Sequence, residues 1–385
     1  MKPIDLSDYD FRAPAPGEIP DLSRLSAEDK EQMLMAGVDV AAQAVSGTYL
    51  QVDHGAVHCK TRQEGVEILD IKEALAKYDG LKDYFWTQVD KDKDEFTRAA
   101  AENLHGGYFI RTAKGAKITE PVQSCLFIKG EGIGQNVHNV IIVEEDSELN
   151  ILSGCSVAHG TREAAHMGIS EFFVGKNAKL SFTMIHNWAE TTVVRPRSAG
   201  VVQEGGVFIN NYILLKAVRD LQMYPSITLA GRGAVARFNS VMVAPPGSLV
   251  DNGSRIIMAA PDTKGESIAR TITTGGTIIA RGNITGLAAP AKGHLECRGL
   301  ILGEGVIRAI PELDARVDGV ELSHEAAVGK IAQEEIEYLM ARGLDEDEAT
   351  STIVRGFLNV DIMGLPDKLR QVIDKTIEET GKDMF

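Results

Sequence analysis

The sequence predicts a mainly β protein: a parallel β-helix core, with a mixed, partly helical segment before it and a helical segment after it. Three observations predict it. Between residues 106 and 323, short runs of alternating apolar and polar residues recur at a loose period of roughly 15–28 residues, each broken by Gly or Asn. That pattern marks half-buried strands separated by turns. Many runs begin with a small residue just after a turn, as at Gly115-Ala116-Lys117, Asn177-Ala178-Lys179 and Gly233-Ala234-Val235. Asn-Gly, the dipeptide of tight hairpins, occurs only at Asn252-Gly253. An antiparallel sandwich is the structural rival, and it would use such hairpins more often.

In chain order, residues 1–105 read as a helical and mixed domain. Ser26 is placed to cap a helix over 27–44, whose apolar residues Met33, Leu34, Val38, Ala41 and Ala42 recur at helical spacing. Residues 66–78 read as a strand and a short helix, and 95–104 as another helix. Residues 106–323 are the β-helix core, with strands expected at 107–111, 126–129, 139–143, 178–185, 207–214, 234–243, 254–258, 267–272, 277–281, 294–301 and 315–317. The run Gly130-Glu-Gly-Ile-Gly134 lacks a following helix and reads as a β-turn, not a dinucleotide loop. Residues 324–385 read as a helical domain. A helix is expected over 326–342, with Gly343 as its C′ residue. Asp345 and Glu348 form a capping box for the next helix, and Pro366 starts a last one. From residue 321 onward there are 15 acids against 7 Lys and Arg, which reads as a solvated face or a docking surface.

Composition narrows the function. The net charge of −15 argues against nucleic acid and against an anionic membrane surface. No apolar run is long enough to span a bilayer, and the polar, proline-dotted start does not look like a signal peptide, so a cytoplasmic protein is expected. Cys59, Cys125, Cys155 and Cys297 are far apart and form no CxxC pair. Free thiols are therefore expected, and a zinc finger or a ferredoxin-type site is not. There is no G-x-x-x-x-G-K-[ST] motif for binding ATP. The pair His324-Glu325 is not the start of an H-E-x-x-H zinc site, since position 328 is Val.

The segment Glu321-Leu-Ser-His-Glu-Ala-Ala-Val-Gly-Lys-Ile331 resembles the signature of the SufB/SufD family. So do Tyr338-Leu-Met-Ala-Arg-Gly-Leu344, Glu348-Ala349, Ile353-Val-Arg-Gly-Phe357, the Ser-Gly-Cys-Ser around Cys155, and His186-Asn187-Trp188. The resemblance covers about 106–385 and implies a right-handed parallel β-helix with helical ends. It implies a scaffold, without catalytic turnover of its own, for assembling a transient iron–sulfur cluster. The implied metal ligands are Cys297, Glu325 and His324; one chain carries all three, which implies a homodimer joined through late β-helix strands. The resemblance further implies a SufC-type ABC ATPase docked on the C-terminal helices near Tyr338, Arg342 and Phe357, a sulfur donor, and recipient apo iron–sulfur proteins. The N-terminal CxxCxxxC of some relatives is absent.

The residues carry this chemistry with bland readings beside it. Thiolates are the natural cluster ligands, and Arg298 or His294 beside Cys297 would lower its pKa; an inert buried thiol is the other reading. His324 and Glu325 face opposite ways on a strand but both reach an interface near a strand end or turn. Cys155, His186 and Trp188 are candidates for a sulfur route, or simple core packing. His54, His58 and Cys59 have ligand-like spacing but read as polar surface. Two rival functions are a structural partner of the ATPase that holds no cluster, and a β-helix enzyme acting on acidic polysaccharide. The missing signal peptide and Asp clusters speak against the second.

Overall fold

The computed structural model describes residues 4–358. It is mainly β, with 48% strand and 16% helix, wound into a parallel β-solenoid of about eight turns. Two long sheets face each other across one core, one of ten strands and one of eleven. From Val122–Ile128 to Ala291–Ile301, each strand of the ten-stranded sheet pairs in parallel with its neighbours on both sides. Antiparallel strands close the N-terminal end, where Gly47–Val52 pairs with Gly55–Thr61 and Val66–Asp70 with Tyr108–Thr112.

Side-chain ladders run along the solenoid axis and give its true period. Asn177 donates to Asp146 across 31 residues, and Asn211 and Asn239 donate to the preceding rung across 28. The sequence-based period is shorter because each coil contains strands in both sheets, and every turn between them looks like the end of a repeat. Gly115, Asn177 and Gly233 all sit at positive φ in these turns. The alanines after them turn inward, with Ala178 and Ala234 fully buried. Glycine and asparagine recur there because the corner needs a left-handed residue.

The expected elements at 66–78, 95–104 and 207–214 stand as Val66–Asp70 with Ile71–Lys77, Glu95–Glu102, and Val207–Leu214. Glu131-Gly132 is a turn, as expected. Others differ. The first helix is Ala27–Met35, capped by Ser26 Oγ on the Asp29 N–H. It stops early because Gly37 turns left-handed and the Val38 N–H closes on Met33 O. Asn252-Gly253 lies inside the parallel strand Leu249–Met258, where ladder pairing on both sides overrides its turn preference. Residues 315–317 end a strand, Val306–Ala315, rather than form one. The helix expected over 326–342 is only Gln333–Met340, since the strand Val320–Gly329 continues past residue 323, held by pairing along Ala291–Ile301. Gly343 ends the helix at φ 98°, and Asp345 and Glu348 exchange both capping-box bonds. The helix expected from Pro366 lies outside the described residues.

The helix Glu346–Leu358 buries Ala349, Val354 and Leu358. Val354 and Leu358 pack against Val241, Val243 and Ile272 on the outside of the ten-stranded sheet. Among the described residues, the last strand of each sheet, Val306–Ala315 and Val320–Gly329, pairs on one side only. Leu313 and Val328 belong to inward rows yet are 39% and 41% exposed, because no further rung among the described residues covers them.

Candidate functional site at the open end of the solenoid

The penultimate strand of the ten-stranded sheet, Ala291–Ile301, alternates strictly. Leu295 and Cys297 face the core, while His294, Glu296 and Arg298 face outward. The terminal strand Val320–Gly329 pairs with it in parallel, setting His324 opposite Leu295, Glu325 opposite Glu296 and Ala326 opposite Cys297. His324 therefore lies on the inward rows next to Cys297, and Glu325 on the outward face. The strand runs straight through both positions, so the turn that would bring them to one side does not occur. Cys297, His324 and Glu325 are thus divided between the two faces of one sheet edge.

The inward pair is sheltered. Cys297 is 6% exposed, and burial, then the Glu296 carboxylate, push its thiol pKa up. This reverses the expected lowering by Arg298, whose guanidinium is on the other face, bound to Glu296 at 2.9 Å and Glu325 at 3.1 Å. His324 Nε2 is shut off from solvent and has no hydrogen-bond partner. A buried imidazole nitrogen without a partner is costly.

The outward face carries a polar cluster. His294 Nδ1 is 2.8 Å from the Ser323 hydroxyl. Arg270 lies 3.5 Å from Glu296 and 3.5 Å from the Phe357 carbonyl, linking the cluster to the helix Glu346–Leu358. Glu296 had drawn no attention in the sequence, although the spacing His294-x-Glu296-x-Arg298 places all three on one face of any strand.

Cys155 lies deep in the solenoid, five strand steps from the Cys297 strand, about 24 Å at the usual spacing. Burial, then Cys125, raises its thiol pKa well above the ordinary value. Cys155 is in register with His186, whose Nδ1 is 3.0 Å from the Tyr212 hydroxyl. Trp188 sits between the rings of His166 and His186, with centroids at 5.1 and 5.4 Å. His186 Nε2 and Trp188 Nε1 have no hydrogen-bond partner. The structure so gathers Cys155, His186 and Trp188 in one interior region. Closer to Cys297, the inward positions Ser240, Ser267 and Ala269 are small and partly exposed.

Tyr338 and Arg342 are exposed and stacked, guanidinium carbon 4.6 Å from the ring centroid. Phe357 instead packs partly buried against the sheet. His54 is not surface: it is 4% exposed, its ring tilted 33° against that of His105 with centroids 3.7 Å apart, and its ring nitrogens lie 2.8 and 2.9 Å from the Ala13 and Gly134 carbonyls. Cys59 is exposed as a residue, but its thiol is tucked in, 3.3 Å from the Ile68 carbonyl in a part-buried contact. Burial, with Glu73 and Asp70, pushes its thiol up to about 12. His58, with Nδ1 3.2 Å from the Ile19 carbonyl, does not join His54 and Cys59 in a ligand set.

Fold and site define a class: a parallel β-solenoid protein, closed at one end by antiparallel strands, with a thiol and an imidazole on the inward rows of the last two described rungs. Among the described residues no helix is long and apolar enough to cross a membrane. The family profile described as "SUF system FeS cluster assembly, SufBD core domain" matches residues 126–357. An iron–sulfur cluster assembly SufBD family protein of Archaeoglobus fulgidus is 54% identical over 93% of this chain and 96% of its own length. A homologue from Methanothermobacter thermautotrophicus is 41% identical over 95% and 91%, and one from Pyrococcus horikoshii 29% over 94% and 83%. The chain belongs to the SufB/SufD family, whose role is iron–sulfur cluster assembly.

Proposed function

We propose that this chain is the scaffold subunit of an ATP-driven assembly complex, building a nascent cluster where two copies meet at their open ends and handing it to apo-proteins. The observation that carries this reading is the uncovered end itself. Among the described residues, two strand edges without a partner and half-exposed inward residues surround Cys297 and His324, whose Nε2 has no hydrogen-bond partner there. An open solenoid end of this kind is a liability unless a partner covers it. A second copy, related by a two-fold axis, would bring Cys297 of one chain toward His324 of the other. Thiolate and imidazole both ligate clusters. The interior run from Cys155 through His186 and Trp188 supports a sulfur path toward Cys297, with the small residues Ser240, Ser267 and Ala269 lining its later part.

The chain has no P-loop, so ATP hydrolysis belongs to a separate ABC-type ATPase of the SufC kind. Tyr338, Arg342 and the neighbouring helix Glu346–Leu358 are its proposed dock, and Phe357 anchors that helix to the sheet rather than meeting the partner. Closure of two ATPase subunits would pull on these helices and loosen the covered interface, admitting iron and sulfide. The scaffold then needs no turnover of its own.

Anaerobic reconstitution with iron and sulfide tests the reading. Wild type should gain thiolate-to-iron absorption, and Cys297→Ser should lose it. Equal absorption in both would move the ligands elsewhere, and no cluster even with the ATPase and ATP would leave a purely structural subunit.

A further inference from the structure

His294, Glu296 and Glu325 form a compact group on the outer face of the last two rungs. Their ligand atoms all lie within 4.8 Å of one another. The fold creates the group by simple rules. Residues two apart on a strand share a face, and the parallel register sets Glu325 beside Glu296. Glu296 Oε1 is shut off from solvent and accepts no hydrogen bond, although Arg298 Nε is 2.9 Å away, because the angle is poor. One imidazole and two carboxylates are nitrogen and oxygen ligands of the kind that bind Fe²⁺ and Mn²⁺ rather than a sulfide-bridged cluster. Cys297 cannot join them, since it points to the opposite face of the same strand.

We propose that this outer face is a loading site for a divalent transition-metal ion, ferrous iron in use, separate from the thiol site on the inner face. The ion's identity rests on the scaffold reading above; its binding does not. Arg298 is the competitor. It neutralises Glu296 and Glu325, and its side chain is 39% exposed, so it can swing into solvent when an ion arrives. Arg270 lies near both Glu296 and the Phe357 carbonyl. Movement of the C-terminal helix would therefore change the charge around the site. Binding opposed by two guanidinium groups is weak and exchangeable, as cargo requires.

The test uses full-length apo-protein and Mn²⁺ as a redox-quiet probe, followed by electron paramagnetic resonance. Wild type should bind Mn²⁺ on each chain, and His294→Ala and Glu296→Gln should each weaken it by at least about tenfold. Cys297→Ser should bind Mn²⁺ as wild type does. Arg298→Ala should bind several-fold more tightly, which loss of folding cannot mimic. Unchanged binding in His294→Ala and Glu296→Gln, or weaker binding in Arg298→Ala, overturns the proposal. Loss of Mn²⁺ in Cys297→Ser also overturns it, by placing the ion in the thiol site. If cluster reconstitution fails while this pattern holds, the scaffold reading falls and the ion site stands.

Discussion

Burial decides how the ionisable residues of this chain behave. Burial drives His105 down to about 4 and His166 to about 3, and lowers His186 well below its usual value. In the unfolded chain each takes up a proton near pH 6.5. The unfolded state therefore binds more protons between pH 6.5 and about 4, and stability is lost as pH falls through that window. Urea midpoints should drop from pH 7.5 to pH 5, and His166→Gln should flatten that dependence; an unchanged slope contradicts it. Glu171 shows the opposite case. Burial alone would raise its carboxyl, but the His138 ring N–H and the backbone N–H groups of Gln88 and Val89 outweigh it and hold it low. Trp86 and Thr87 also donate to it, so one carboxylate pins the segment 86–89 to the solenoid. Glu171→Ala should cost at least about 3 kcal/mol in denaturant unfolding. Cys297 and His324 were legible because their types and motif are specific. The raised thiol, the buried His54 and the role of Glu296 were not, since each depends on which face a residue occupies.

Strand identity followed from local pattern, and strand extent did not. The run 207–214 is a strand to the residue, and its Asn211 sits in a ladder between Thr183 and Asn239. Ala164–Val174 is buried almost throughout, and without alternation it went unread. The apolar spacing that marks a helix from residue 326 is overridden at 326–329, where pairing with Ala291–Ile301 keeps the chain extended. That competition fixes the site, for a helix starting at residue 326 would have freed Glu325 to turn inward. The terminal strands also predict association. Leu313→Glu and Val328→Glu put charge on inward rows that are half-exposed among the described residues and that the proposed second copy would cover. Light scattering should show both variants as monomers with wild-type circular dichroism, and dimers of unchanged mass would contradict this. Tyr338→Glu should abolish capture of the ATPase while leaving self-association intact, which a pull-down and light scattering would read together.

For the whole molecule, a solenoid is held by contacts between neighbouring coils, so its two ends are set independently. Here the antiparallel strands and the N-terminal segment close one end, and the other has no covering rung among the described residues. The overall class was readable because turns and alternation repeat along the chain. The asymmetry of the ends was not, because it depends on which edge lacks a neighbour. The central claim is that the cluster forms between two chains, with Cys297 from one and His324 from the other. It is tested most directly by iron and sulfide counts on a mixed dimer, one chain Cys297→Ser and the other His324→Ala. Each variant alone should fail to hold a cluster. The mixed dimer keeps one intact pair across the interface and should recover about half the wild-type content. A mixed dimer as empty as the two parents would contradict a site shared between chains.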